Sequence, residues 1–339
     1  AAAGTITIAG GATTATGGEY AAGVGGGYRA AGGNVSVSGG TVFAIGGEYG
    51  GTGIGGGDQG AGGSLTISGG TVVAAGDRYA AGVGGGQYQV GGTVNITGGS
   101  LTATGGRYGG AGIGSGGNYT SGTDGTVNIS GGQVTATGGG GSGAGIGGGT
   151  GSTGSAVTIS GGTVVAQSYS GAGIGGGNNA TNNTVAITGG KINAQSSGGA
   201  GIGGGYKGAG GTVEISDGTV FAQSDDGADI GSGMNGAVDG TNTFTGGSIC
   251  LASSSITTAP TNDTDTVGCA VVTGFEPNEA VAITDLANYG ANDIVADEAG
   301  AIYLWLPNGT YTFTANGREC TVKLQDGVGN TGVLVNGKE

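Results

Sequence analysis

Apolar and polar residues alternate with a period of two in short segments that recur along most of the chain. One clear copy, at residues 63–75, reads GSLTISGGTVVAA, and a variable polar loop then leads to AAGVGGG at residues 80–86. Such alternation predicts half-buried β-strands. The last apolar residue of the first segment recurs every 28 to 33 residues, at Ile8, Val37, Ile67, Ile96, Ile129, Ile159, Ile187 and Ile215.

The repeat can be written GTVxISGG-TVxAxGG-xY-xAGIGGG, and it contains three short segments separated by glycine corners. Glycine suits corners that need positive φ or leave no room for a Cβ atom against the next coil. Three strands per repeat predict an all-β fold: a right-handed parallel β-helix with eight to nine coils of about 29 residues. At ~4.8 Å per coil, the rod would be about 40 Å long.

The repeat decays after its eighth copy, and the composition of the chain then changes. We predict a solenoid domain at residues 1–252, a linker or capping loop at residues 253–266, and a further domain at residues 267–339. Alternating runs flank Asn-Gly pairs in that last part, as at Asn316-Gly317. This pattern is typical of hairpins and predicts a small antiparallel β domain, either an Ig-like β-sandwich or a barrel.

The glycine-rich AGIGGG and GGTVTISGGTVTA patterns resemble the repeats of bacterial cell-surface or secreted β-helix proteins, many of them adhesin-like or carbohydrate-binding. The resemblance covers roughly residues 4–250. It implies a right-handed parallel β-helix, an extracellular location and attachment to glycans or surfaces. It carries over no catalytic residue, and the C-terminus has no wall-sorting motif.

Composition narrows the set of partners. The chain has 339 residues, of which 94 are glycine and 9 % are charged, and its net charge is −14. Such a chain should repel nucleic acid and anionic membrane surfaces. The sequence contains no run of ~18 apolar residues, which is the signal that would predict insertion into a membrane. An odd number of cysteines leaves one free or paired between chains; a bridge between Cys250 and Cys269 or between Cys269 and Cys320 would fit secretion, and three unpaired thiols are the alternative.

Tyrosines flank the glycine segment in successive repeats, and they are the candidate ligand-binding residues. One row precedes the segment: Tyr20, Tyr49, Tyr79, Tyr108 and Tyr169. A looser row follows it: Tyr28, Tyr88, Tyr119 and Tyr206. Two aromatic edges along a bare glycine floor would form a shallow groove in which sugar rings could stack. The alternative is that the rings stack on each other and shield the strand edges.

The glycine floor has a second interpretation, because two faces without side chains could pack closely. That contact would give a homo-oligomer or filament, whereas the alternative is that glycine only suits tight coils. Beside the tyrosines, Glu48 and Arg78 fall on adjacent coils and could form an ion pair. An exposed pair of this kind contributes ~0–1 kcal/mol.

Outward positions of the second strand carry two further signals. Phe43 and Phe221 should point away from the core, which suggests a covered or interacting surface. Gln167, Gln195 and Gln223 recur in three consecutive repeats, which predicts an amide ladder along the stack.

Acidic residues concentrate in the eighth repeat, at Glu214, Asp217, Asp225, Asp226 and Asp229. A charged terminal coil that discourages end-to-end stacking is one interpretation. Calcium binding by Asp225, Asp226 and Asp229 is another, since carboxylates are ligands that Ca²⁺ prefers. Catalysis by paired acids, as in a polysaccharide lyase or hydrolase, is the third, although no basic side chain lies in this repeat.

These observations favour a non-enzymatic, extracellular structural or adhesive β-solenoid, secreted or on a bacterial cell surface. A polysaccharide or cell-surface glycan is the expected partner, and no cofactor is expected apart from Ca²⁺. A subunit of an extracellular filament and a polysaccharide-degrading β-helix enzyme are the alternatives.

Overall fold

A computed structural model of the chain describes residues 4–117, 125–153, 156–181, 183–236, 240–245, 247–251, 267–284, 294–296, 299–307, 309–324 and 331–333. A parallel β-solenoid of about eight coils forms most of this part, and antiparallel strands follow it. The single short helix of the described residues is the 3₁₀ turn Gly139–Gly141. We number the coils 1 to 9 from the N-terminus. Strands in equivalent positions of successive coils form a ladder.

The first two ladders belong to one sheet, and their pairing follows the sequence repeat: Ile67 lies opposite Ile96, and Val72 lies opposite Leu101. In coils 1 to 4 the first strands are Thr5–Ile8, Asn34–Val37, Ser64–Ile67 and Thr93–Ile96, and the second strands are Ala12–Thr16, Thr41–Ile45, Thr71–Ala75 and Ser100–Thr104. In coils 5 to 8 the two strands run together as Thr126–Thr137, Ala156–Gln167, Thr184–Ser196 and Thr212–Ser224, and coil 9 contributes Thr241–Phe244 and Ser248–Leu251.

The third ladder is made of two-residue strands at the tips of narrow turns. They are Val24–Gly25, Ile54–Gly55, Val83–Gly84, Ile113–Gly114, Ile146–Gly147, Ile174–Gly175, Ile202–Gly203 and Ile230–Gly231. In coil 5 the Ala144 N–H donates a hydrogen bond of 2.9 Å to the Gly148 carbonyl oxygen, and the same bond recurs in coil 6. The chain therefore reverses around each inward isoleucine or valine.

The core consists of the inward rows that the alternation predicts. In coil 6, for example, Val157, Ile159, Val164 and Ile174 are all buried. The inward rows form one continuous hydrophobic cluster that runs from Val24 of coil 1 into coil 9. The prediction of a three-strand parallel β-solenoid of about eight coils, with antiparallel sheets at its C-terminal end, is confirmed.

The glycine segment does not form an exposed floor, and that prediction was wrong. The third-strand glycines from coil 2 to coil 8 are buried. A Cβ atom added at Gly203 would lie 2.1 Å from the carbonyl oxygen of Gly231 in the next coil. Because the narrow turn folds its flanking segments over the strand, the bare backbone faces the neighbouring coils and offers no flat surface to a ligand or a second copy.

Antiparallel strands continue the sheet beyond coil 9. Ala301–Pro307 pairs on one side with Ser248–Leu251 of coil 9 and on the other with Val267–Thr273. The remaining strands are Ala280–Val281, Ile283–Thr284, Ile294–Val295, Gly309–Ala315, Arg318–Leu324 and Thr331–Val333. Gly309–Ala315 and Arg318–Leu324 form the hairpin predicted at Asn316-Gly317, where both turn residues have positive φ. The predicted loop at residues 253–266 lies outside the described residues, and the domain boundaries stay predictions.

Phe221 of coil 8 points away from the solenoid core yet is completely buried. It packs in a second hydrophobic cluster with residues of the antiparallel strands, among them Phe275, Ile302 and Phe313. The covered surface predicted for Phe221 is therefore confirmed. Phe43 occupies the same strand position in coil 2 and is 46 % exposed.

The structure also bears on the cysteines. Cys320 is buried and free, so a Cys269–Cys320 bridge was a wrong prediction. Burial raises the pKa of the Cys320 thiol. Cys250 and Cys269 lie on strands that flank Ala301–Pro307 from opposite sides. Two strand spacings amount to ~10 Å, which is wider than the ~7 Å that a disulfide spans between Cα atoms. The backbone therefore disfavours a Cys250–Cys269 bridge.

Candidate binding surface

Three tyrosines of coils 1 and 2 meet at one side of the solenoid. The ring centroids of Tyr20 and Tyr28 are 5.1 Å apart, and those of Tyr20 and Tyr49 are 5.2 Å apart and stacked. We call Tyr20, Tyr28 and Tyr49 the tyrosine cluster. The prediction that the two rows lie on opposite edges of a groove was wrong here, because the narrow turn between Tyr20 and Tyr28 brings their rings together.

The other candidate tyrosines are more dispersed. Tyr79 and Tyr108 form a second pair, with ring centroids 5.3 Å apart. Within the described residues no ring contact joins Tyr49 to Tyr79, so the predicted ladder is divided into two groups. Tyr88 is 43 % exposed and Tyr169 is 68 % exposed. Tyr206 is half-buried beside Lys207, and Tyr119 lies outside the described residues.

The backbone at these loops is unusual for bulky residues. Tyr20, Tyr49 and Tyr88 have φ values of 66°, 75° and 65°. A left-handed conformation costs an ordinary residue about 1–2 kcal/mol relative to glycine. Glycine is abundant in this chain, yet tyrosine occupies these positions. Backbone strain of this kind is a reason to suspect that the side chain has a use beyond folding.

Arginines lie over the exposed tyrosine rings. The Arg78 guanidinium carbon is 4.4 Å from the centroid of Tyr49, and Arg29 and Arg107 contact Tyr28 and Tyr108 at 5.0 and 5.2 Å. Arg78 belongs to the next coil, coil 3, and precedes Tyr79 in the chain. Its guanidinium, and not the Tyr79 ring, therefore makes the contact of coil 3 with the Tyr49 ring.

The acidic partner of Arg78 and Arg107 is Asp77, which sequence reasoning did not single out. Asp77 lies 3.9 Å from Arg78 Nε and 3.8 Å from an Arg107 terminal nitrogen, and its carboxylate accepts a 3.0 Å hydrogen bond from the Tyr49 N–H. The predicted pairing of Arg78 with Glu48 was wrong. The spacing of the repeat assigns each residue to a coil, but it does not predict the direction in which a loop side chain points.

Asp58 is a second acidic residue that the repeat did not reveal as a site residue. It is 5 % exposed, and its Oδ1 atom has no hydrogen-bond partner. Burial raises the pKa of its carboxyl above the ordinary value, while hydrogen bonds from Gln59 and the charges of Arg29 and Arg78 oppose that rise. An incompletely satisfied carboxylate thus lies beneath the loops of the tyrosine cluster.

The raised pKa of Asp58 predicts a pH effect on stability. The folded state binds this proton more tightly than the unfolded state, so the free energy of unfolding falls as pH rises through the folded pKa. Asp58→Asn should remove this dependence and raise stability at neutral pH by about 1 kcal/mol. Thermal melts across acidic and neutral pH measure it. Exposed Asp226→Asn is the control, and equal responses of the two variants would contradict the prediction.

The predicted glutamine ladder is present in coils 6 to 8. Gln167 Nε2 donates to Gln195 Oε1 at 3.1 Å, and Gln195 Nε2 donates to Gln223 Oε1 at 3.5 Å. The three side chains line an open groove of about 270 Å³, together with Ser168, Ser196, Ser197 and Asp225. We call this the glutamine groove.

A serine ladder runs beside the glutamines, and sequence reasoning missed it. Ser196 Oγ donates to the Gly171 carbonyl oxygen at 2.7 Å and accepts from the Gly199 N–H at 2.9 Å. Ser168 and Ser224 make the equivalent bonds in coils 6 and 8. The repeated Gln-Ser pair was the available signal. These hydroxyls fasten each coil to the previous one.

The acids of coil 8 are not brought together. Asp225 and Asp226 are exposed, whereas Asp229 is fully buried and accepts a 2.8 Å hydrogen bond from the Ser224 N–H. Among the described residues, no group of three or more His, Cys, Asp or Glu side chains is placed to hold a metal ion. Calcium binding by Asp225, Asp226 and Asp229 remains a prediction without a preformed cluster to support it.

Comparison with known proteins bears on the repeat. A family model described as Beta helix repeat matches residues 65–87, 91–117, 127–150, 157–178 and 185–206, which are segments of coils 3 to 7. A search of curated proteins found no match, and a search of solved structures found none either. No helix in the described part of the chain is long and apolar enough to cross a membrane.

Proposed function

We propose that this parallel β-helix repeat protein is a non-enzymatic, extracellular binding module for a polysaccharide or another cell-surface glycan. The tyrosine loops of coils 1 to 4 would supply the contact surface. The observation that carries the proposal is the set of exposed tyrosine rings held on strained loops, with an arginine over each of three rings.

The chemistry of these loops suits sugars. Tyrosine presents a rigid aromatic face for the apolar side of a sugar ring and a hydroxyl group for its polar edge. Arginine and the nearby carboxylate of Asp77 add donors and acceptors for sugar hydroxyls. The solenoid core consists of valine, isoleucine, leucine and alanine, with phenylalanine in coil 9. The exposed tyrosines are therefore not needed to fill it.

The net charge of the chain argues against acidic partners. A net charge of −14 disfavours nucleic acid and other polyanions. The filament and enzyme alternatives stay predictions, which light scattering and a reducing-sugar assay would test on the same protein preparation.

The test is removal of two rings, one from each tyrosine group. Tyr49→Gly combined with Tyr79→Ala should weaken glycan binding at least tenfold, because each ring contributes about 0.5–1.5 kcal/mol beyond its buried area. Glycine at position 49 also relieves the positive φ, so a loss of binding would not reflect backbone strain at that position. A glycan array followed by titration calorimetry measures the effect.

Phe43→Ala is the matched control, since it removes an exposed aromatic ring outside the tyrosine loops. It should bind like the original protein. Binding that survives the double substitution would remove the tyrosine loops from the proposal. An array on which the unaltered protein binds no glycan would overturn the proposed function itself.

A further inference from the structure

The glutamine groove has a regularity that the fold alone does not require. Gln167 and Gln195 lie opposite each other in the ladder, as do Gln195 and Gln223. Their amides are hydrogen-bonded in one direction along the solenoid axis. The result is a row of fixed amide groups, spaced by one coil, on the wall of an open groove.

The amides have hydrogen-bonding capacity beyond the ladder. Each glutamine carries two N–H donors and an oxygen with two lone pairs. The ladder uses one donor and one acceptor of Gln195, the middle residue. A second donor and a second acceptor thus remain at that position, and the ladder holds them in a defined orientation.

The groove serines have a different role. The hydroxyl groups of Ser168 and Ser196 bind backbone groups of their own coil and of the previous coil. They fix the shape of the groove floor, and their hydrogen-bonding groups are already engaged. Ligand contacts therefore fall to the glutamine amides rather than to Ser168 and Ser196.

The polar row extends beyond the glutamines. Thr104 of coil 4 pairs with Thr137 of coil 5, which pairs with Gln167. Five coils therefore present a hydroxyl or amide group at one position, over about 20 Å along the axis at ~4.8 Å per coil. Tyr169 follows the groove residue Ser168 in the chain and is 68 % exposed, so it adds an aromatic ring to this part of coil 6.

The spacing distinguishes between classes of linear ligand. In an extended peptide, groups on the same side repeat every two residues, or ~6.6–6.8 Å, which loses register with a ~4.8 Å ladder after one coil. In a straight β-linked polysaccharide each sugar ring advances by close to one coil spacing and alternate rings are turned over. Groups on the same side therefore recur at about two coil spacings, or ~10 Å, and stay near register with every second coil. The rim residue Asp225 and the net charge of −14 disfavour acidic polymers.

We infer that the glutamine groove is a glycan subsite that takes one straight, neutral, β-linked polysaccharide chain, lying parallel to the solenoid axis. The inference rests on the proposed function and places a second contact surface for it in coils 6 to 8, apart from the tyrosine cluster. Gln195 is the central contact residue, because it has a glutamine on both sides.

The experiment is titration calorimetry with cellohexaose and chitohexaose as straight β-linked probes, and with maltohexaose as a curved α-linked probe. The straight probes should bind and maltohexaose should bind at least tenfold more weakly. Gln195→Ala should weaken binding of the straight probes about tenfold. Gln133→Ala is the matched control, since Gln133 is an exposed glutamine of the second-strand ladder that lies outside the groove. This substitution should leave the affinity for the straight probes within twofold of the original value.

Gln195→Glu is a second variant, which keeps the side-chain size and removes the amide donors. It should also weaken binding, with an unchanged circular dichroism spectrum. Two results would overturn the subsite while leaving the proposed function in place. In the first, Gln195→Ala leaves binding of the straight probes intact. In the second, Tyr49→Gly combined with Tyr79→Ala is by itself enough to remove that binding. Preferential binding of an extended peptide in the groove would also overturn it. Failure of every sugar to bind would overturn both proposals.

Discussion

Replacing Gly203 by alanine should lower the free energy of unfolding by about 3–4 kcal/mol. Gly203 has a φ of 131°, and a Cβ atom there would lie 2.1 Å from the carbonyl oxygen of Gly231. Strain in the left-handed region costs about 1–2 kcal/mol, and forcing an extra atom into a packed interior costs about 1–3 kcal/mol. The obstructing atom belongs to the backbone, so no side chain can move aside. Urea denaturation followed by circular dichroism measures the loss.

Gly198→Ala is the matched control in the same coil. Its Cβ atom would meet the Tyr169 carbonyl oxygen at 3.6 Å, which is an ordinary contact, and its φ lies outside the left-handed region. This substitution should change stability by less than about 1 kcal/mol, and it can even stabilise by restricting the unfolded chain. Equal destabilisation by the two substitutions would show that glycine is needed here for a reason other than close contact between coils.

Removing the Phe221 side chain should cost about 3–5 kcal/mol, as is usual for a fully buried phenylalanine. The ring lies between the outer face of coil 8 and the antiparallel strands, and none of it is exposed. Phe221→Ala would leave a cavity at this junction. Chemical denaturation measures the loss, and limited proteolysis should show faster cleavage within residues 267–339.

Phe43→Ala is the counterpart, because Phe43 holds the same outward strand position in coil 2 and is 46 % exposed. It should change stability by no more than about 0.5 kcal/mol. The two substitutions remove the same atoms from equivalent positions, so the difference between them measures what the antiparallel strands contribute. A small effect at Phe221 would contradict the packing of those strands on coil 8.

The fold could be predicted because its cause is repeated in the sequence. Each coil buries residues at the same places, as Ile67, Ile96 and Ile129 do, and a spacing that is kept over eight repeats fixes the register of the ladders. The hairpin at Asn316-Gly317 could be predicted because both turn residues favour positive φ.

The candidate site was less predictable, because it lies in loops whose backbone the repeat does not define. The ring contact between Tyr20 and Tyr28 depends on the narrow turn between them, and the alternation pattern gives no sign of that turn. The selection of Asp77 over Glu48 by Arg78 depends on loop direction. Asp229 interrupts the glycine pattern and suggested a metal site, but the pattern gave no sign that its carboxylate is buried and accepts a hydrogen bond from the Ser224 N–H.

The glycine contacts between coils have a consequence for how such a chain can change length. At Gly147, Gly175 and Gly203 the neighbouring atom is a backbone oxygen of the next coil, and the geometry is almost the same each time. At this contact a coil therefore fits against any other coil that has glycine at the same position. Whole repeats could be duplicated or deleted in the gene without a compensating substitution at this contact, and the loops of each new copy could then diverge toward a new ligand.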